Sequence, residues 1–150
     1  MGGIVEYMSL SFLRKFFPHV YTQVVSRTID DIRDDGMGRR PWVNFSHVDF
    51  SKYPHVQEIS CVSLSDVISR SRIDHINYFI LDVEGAELEV LHSIDWNKVT
   101  FDVMAVETEE RFRWEGFTGE VTSFLRARGY HQYSELQGRN HWYIISSIFC

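Results

Sequence analysis

The chain has 150 residues, 44% of them hydrophobic, and a formal net charge of −6. A single globular domain with a core large enough to fold without disulfide or metal staples fits that length and composition. The acidic balance excludes a nonspecific nucleic-acid binder, which needs a basic face for phosphates, and the basic pairs Arg14-Lys15 and Arg39-Arg40 are isolated.

Residues 4–35 read as two amphipathic helices. Val5, Met8, Phe12 and Phe16 form one stripe, and Tyr21, Val24, Val25, Thr28, Ile29 and Ile32 form the next. Pro18 separates them and suits the first turn of the second helix. Glu6 breaks the apolar run a secretory signal needs, and it stands where a myristoylation start wants Ser or Thr. No apolar run approaches the ~20 residues that span a bilayer. The chain reads as soluble and cytoplasmic by default, with a longer, membrane-anchored parent left open. Residues 34–41 form a loop whose Gly36-Met37-Gly38 lacks the preceding strand of a nucleotide-binding turn. The aromatic stretch 43–55 has no clear period. Cys61 and Cys150 make neither a disulfide framework nor a metal spacing, and read as free thiols.

Alternation over 58–64 predicts a strand, and Ser65 a cap for a short helix over 66–72 with Asp66 in its first turn. A strand over 76–83 follows, then a helix over 85–95 with Ala86, Val90, Leu91 and Ile94 on one face. Residues 101–107 form the next strand, followed by a charged loop over 108–115. Thr118 is placed to cap a helix over 119–128, buried through Val121, Phe124 and Leu125, with Gly129 as its C′ residue. Strands 130–136 and 141–148 pair as a hairpin across residues 137–140. The order β-α-β-α-β-β predicts a parallel sheet with an antiparallel edge.

The segment 77–91 (NYFILDVEGAELEVL) is the most informative. Its continuous apolar run reads as a strand buried on both faces, ending in Asp82, Glu84 and Gly85. Open α/β sheets hold ligands at the carboxyl edge of their strands, where these acids would stand.

Val62-Ser-Leu-Ser-Asp-Val-Ile68, Ile73 through Leu91 and Ala105-Val-Glu107 together resemble the C-terminal half of an FkbM-type methyltransferase domain. Arg128-Gly-Tyr130 and Asn140-His-Trp-Tyr-Ile144 are similar to the same domain's last helix and strand. His92 through Val99 most resembles its animal, Star-like branch. The resemblance implies an α/β, Rossmann-like methyltransferase sheet, partial here and preceded by N-terminal helices. Residues 1–57 would then be a helical and irregular extension, and 58–150 the domain's C-terminal half. It also implies S-adenosylmethionine as cofactor and methyl transfer to a hydroxyl of a small-molecule, glycan or lipid acceptor. The Glu-x-Gly donor loop that family members carry after their first strand has no counterpart: Glu84-Gly85 and Glu115-Gly116 fall elsewhere.

On that reading Asp82 orients or deprotonates the acceptor, and Glu107 approaches from the neighbouring strand. Asp82, Glu84 and Gly85 contact the donor, with Gly85 serving close packing or a backbone angle. Plainer readings stand beside these. Asp82 caps the turn, and Glu84 and Glu87 simply favour a helix N-terminus. Three acids on one rim could instead bind a hard cation such as Mg²⁺, or support metal-assisted hydrolysis. No histidine completes a softer site: His92 faces solvent, His75 lies in a loop and His141 opens an edge strand. The competing function is a noncatalytic module for protein interaction or membrane-protein trafficking. A sheet lacking its first strands would expose the edge and an apolar face of strand 76–83, which predicts self-association.

Overall fold

The computed structural model describes residues 10–19, 21–22, 49–52, 60–109, 115–137 and 139–149. The predicted helix stripe 24–32, the loop 34–41, most of 43–55, the run 110–114 and Cys150 lie outside them. Helix α1 spans Leu10–Phe16, and its Leu13 is fully buried. Helix α2 (Leu64–Ser71) precedes strand β1 (His75–Leu81), helix α3 (Glu87–His92) and strand β2 (Thr100–Glu107). Helix α4 (Phe117–Arg126) and strands β3 (Tyr130–Gln137) and β4 (Asn140–Ile145) complete the order. A 3-10 turn, Ser146–Phe149, ends the last strand earlier than the alternation suggests. Among the described residues no helix is long and apolar enough to cross a membrane.

Among the described residues, strand β2 is the spine of a four-stranded sheet ordered β1-β2-β4-β3. It pairs in parallel with β1, from His75↔Thr100 to Leu81↔Val106, and antiparallel with β4, from Val103↔Ile144 to Glu107↔Asn140. The hairpin forms as expected, with Gln137 opposite Asn140 and an irregularity between Tyr133 and Gln137. The chain therefore has the mixed α/β sheet the sequence predicts. The crossover through α3 returns β2 parallel to β1, so both strands end on one rim.

Helix α3 meets α4 through the His92 ring, edge-on to Phe124 at 4.5 Å. Their Leu88, Leu91, Val121 and Leu125 share one core with Met104, Val106 and Tyr143 of the sheet. Burying each such side chain contributes about 1.5–3 kcal/mol. Trp96 closes one end of this core against Phe101, Phe124 and Tyr130, and the Arg128 guanidinium lies 3.5 Å above the Phe124 ring.

Four local expectations are corrected. Of the strand expected over 58–64, residues 58–59 lie outside the described residues and 60–63 form no strand: Val62 is 62% exposed, and among the described residues no strand pairs with that short alternation. Ser63 caps α2 instead of Ser65, its Oγ accepting the Asp66 N–H at 3.0 Å; the Ser65 hydroxyl takes the Asp95 N–H. Gly116, at φ 86°, precedes α4, while Thr118 donates to the Thr108 carbonyl and ties down the chain leaving β2. The helix ends at Arg126 with Ala127 as its cap, so Gly129, left-handed at φ 86°, lies one position beyond the expected C′ place.

The largest correction concerns β1. It is an edge strand that pairs only with β2 among the described residues, and Tyr78 and Ile80 are 47% and 58% exposed. An apolar run that normally signals burial on both faces here has one covered face. The ladder places Ile80, Ala105, Trp142 and Tyr133 in one row on the other face, where Ile80 and Tyr133 are exposed, Trp142 is half-buried and Ala105 is buried, and Tyr78 stacks on Trp142 at 5.7 Å.

Burial pushes the phenols of Tyr143 and Tyr130 above their usual 10.0, tempered by hydrogen bonds to Thr122 and the Phe101 amide. A group whose proton is held more tightly when folded gives stability that is complete below its unfolded value. That stability is lost as pH rises through the folded value. Urea unfolding should therefore show stability declining as pH rises above about 10. Tyr143→Phe should flatten that decline while losing about 1 kcal/mol at neutral pH with the Thr122 hydrogen bond.

Candidate functional site

The parallel register sets the site. Leu81 pairs with Val106, so Asp82 leaves β1 level with Glu107 at the end of β2. The chain then turns sharply: Glu84 is left-handed at φ 55°, Gly85 stands at φ 116°, and helix α3 begins at Glu87. Asp82 and Glu84 thus lie in the turn, outside any helix and on the rim shared with the tip of β2.

Three carboxylates converge there. Oxygens of Asp82, Glu87 and Glu107 lie within 4.8 Å of one another. Glu87 is fully buried and Glu107 is 5% exposed, whereas Asp82 is open to solvent. The Glu87 Oε1 accepts the backbone N–H groups of Val83 and Gly85 at 3.2 and 3.1 Å. Asp82 and Glu107 therefore come together, Gly85 forms the bend beside them, and half-buried Glu84 stands outside the trio. Glu87, read from sequence as a helix-terminal acid, occupies the centre. Two left-side residues reverse the chain so that the first helical side chain points back at the strand end. The Glu84-Gly85 pair just past the strand end, with a glutamate two residues on, is the signal that marks such a turn.

The surroundings are polar and mostly covered. Thr108, 2% exposed, hydrogen-bonds through Oγ1 to Nδ1 of His141, itself 7% exposed. The expectation of an edge, surface histidine is thus corrected: β4 lies between β2 and β3, so its first residues are enclosed. The Arg139 guanidinium meets Glu109 at 3.0 Å above the rim. His92 is exposed as expected. His75, expected in a loop, instead opens β1 because it pairs with Thr100; it is exposed at the far end of that strand, where it contacts Asp102 and Thr100, away from the acids.

Chemically, the rim offers oxygen donors and concentrated negative charge. It suits a positively charged organic group or a hard cation, and its exposed carboxylate can accept a proton.

A family model described as a methyltransferase FkbM domain matches residues 37–131. That span covers more than half of the chain and runs from before α2 to the start of β3. No curated protein and no solved structure matches the chain.

The geometry implies opposite effects of two neighbouring substitutions. Gly85→Ala puts a β-carbon on a backbone that L-residues avoid and should cost about 1–3 kcal/mol in urea unfolding. Asp82→Asn removes one of three crowded negative charges. It should leave the unfolding midpoint unchanged or raise it at low salt, with the gain shrinking as salt screens the exposed group.

Proposed function

Because the chain belongs to the FkbM methyltransferase family, we propose that it transfers a methyl group from S-adenosylmethionine to a hydroxyl oxygen. The acceptor would be a small molecule, glycan or lipid. The observation that carries this reading is the exposed Asp82 carboxylate beside buried Glu87 and Glu107 at the shared end of two parallel strands.

When bound, S-adenosylmethionine supplies an electrophilic methyl carbon on a sulfonium sulfur. The fit is one of charge, since a sulfonium and an ammonium are both cations and the acids make this rim negative. Asp82 is the member of the trio an acceptor can reach. Its carboxylate orients the hydroxyl and takes up the proton as the oxygen becomes nucleophilic. Glu84, on the turn, hydrogen-bonds the donor or the acceptor, and Gly85 lets the backbone approach closely. Glu107 holds the rim's charge from the neighbouring strand. Alignment of this kind can supply several kcal/mol of barrier reduction. The absence of a Glu-x-Gly donor loop from the sequence leads us to propose an incomplete donor pocket and correspondingly weak donor binding.

Calorimetric titration with S-adenosylmethionine tests this. A dissociation constant of about 1–100 μM is expected, weakened at least tenfold by Asp82→Ala or Glu84→Ala. No detectable binding by the folded chain would sink the enzyme reading.

The exposed Ile80 and Tyr133 beside half-buried Trp142, and the edge position of β1 among the described residues, favour a second reading, a noncatalytic interaction module that also self-associates. On this reading light scattering after size exclusion should give a mass above the monomer, and Ile80→Lys should return it to one. A stable monomer of the unaltered chain counts against it.

A further inference from the structure

We propose that Glu87 is a positioning residue: its buried carboxylate closes the β1–α3 turn from inside and thereby sets where Asp82 stands. The inference rests on the reading of Asp82 as the acceptor-facing acid and extends it to a side chain that cannot itself reach an acceptor.

The turn needs such a clamp. Its two central residues have φ of 55° and 116°, and the first is a glutamate, which does not adopt that conformation without cost. Helix α3 offers little support, because it is only 6 residues long and Ala86 at its start makes no side-chain cap. A helix that short is not stable alone. The N–H groups of Val83 and Gly85 flank Glu84, and one oxygen of Glu87 accepts both. Hydrogen bonds to an ionised acceptor are about twice as strong as neutral ones, and burial strengthens them further. The first of these amides belongs to the residue directly after Asp82, so the clamp fixes the backbone that carries the acid.

The same carboxylate lies beside the Asp82 side chain. Glu87 and Glu107 are buried in the rim, each offering an oxygen within 4.8 Å of one from Asp82. Glu87 thus settles where Asp82 is rooted, and either a carboxylate or an amide oxygen at its position can accept the two N–H groups.

The test uses the 150-residue chain with Glu87→Gln and Glu87→Ala, read by amide hydrogen exchange and by calorimetry with S-adenosylmethionine. In Glu87→Ala the Val83 and Gly85 amides should exchange at least about tenfold faster, in line with loss of charge-assisted hydrogen bonds. Met104 and Val106 in the sheet should keep their protection. Donor affinity should fall about tenfold or more. Glu87→Gln, which keeps an acceptor oxygen at the same reach, should restore most of the protection and part of the affinity. If Glu87→Ala does not fold, Glu87→Asp, one methylene shorter, replaces it with the same expected losses. Unchanged Val83 and Gly85 protection in a folded Ala or Asp variant would overturn the proposal. So would a uniform loss that includes Met104 and Val106. Failure of the unaltered chain to bind donor would instead defeat the methyltransferase reading, and the amide pattern would still decide whether Glu87 holds the turn.

Discussion

Parallel pairing of β1 with β2 is the constraint on which the site depends. Parallel strands run the same way, so their last residues arrive at the same rim, and the Leu81↔Val106 register makes Asp82 and Glu107 neighbours. A slip of one residue would turn one of the two acids to the other face of the sheet. That register is held by the core beneath it. Met104 and Val106 are fully buried against α3 and α4, and a slip would take both out of that core.

The rim is arranged in depth. Glu87 and Glu107 lie inside, Asp82 outside, and the turn between them folds back through two residues with positive φ. Gathering negative charge at a covered edge costs free energy, offset here by backbone N–H groups aimed at Glu87 and by the open position of Asp82. Local strain and crowded charge coincide at one turn, a pairing more typical of sites that bind or react than of connections that merely reverse the chain.

The two faces of the sheet differ in kind. One carries α3 and α4 and contains the core, while the other presents Tyr78, Ile80 and Tyr133 around Trp142. Stacking of Tyr78 on Trp142 bridges β1 and β4 across β2 and gives that face some order of its own. Both readings of the function draw on this division. The acid rim supports chemistry at the strand ends, and the aromatic row supports contact with another surface.

Much of this was legible from residue order. The 3.6-residue period of α4, the hairpin and the strand that ends just before Asp82 all follow from local rules, because each involves groups a few residues apart. The apolar run 77–81 revealed a strand but not its exposure, since exposure depends on whether a neighbour lies beside it. Ser63 and Ser65 are equally good caps in isolation, and packing against Asp95 decided between them. His141 looked superficial until β4 was inserted between β2 and β3. The amino-acid sequence alone determined that acids crown a strand and which family the pattern resembles, because those are properties of neighbours along the chain. Only the tertiary structure decided that Glu87 joins Asp82 and Glu107 while Glu84 stands aside. That choice turns on backbone angles at 84 and 85 and on the register between strands about 25 residues apart, which no local pattern encodes.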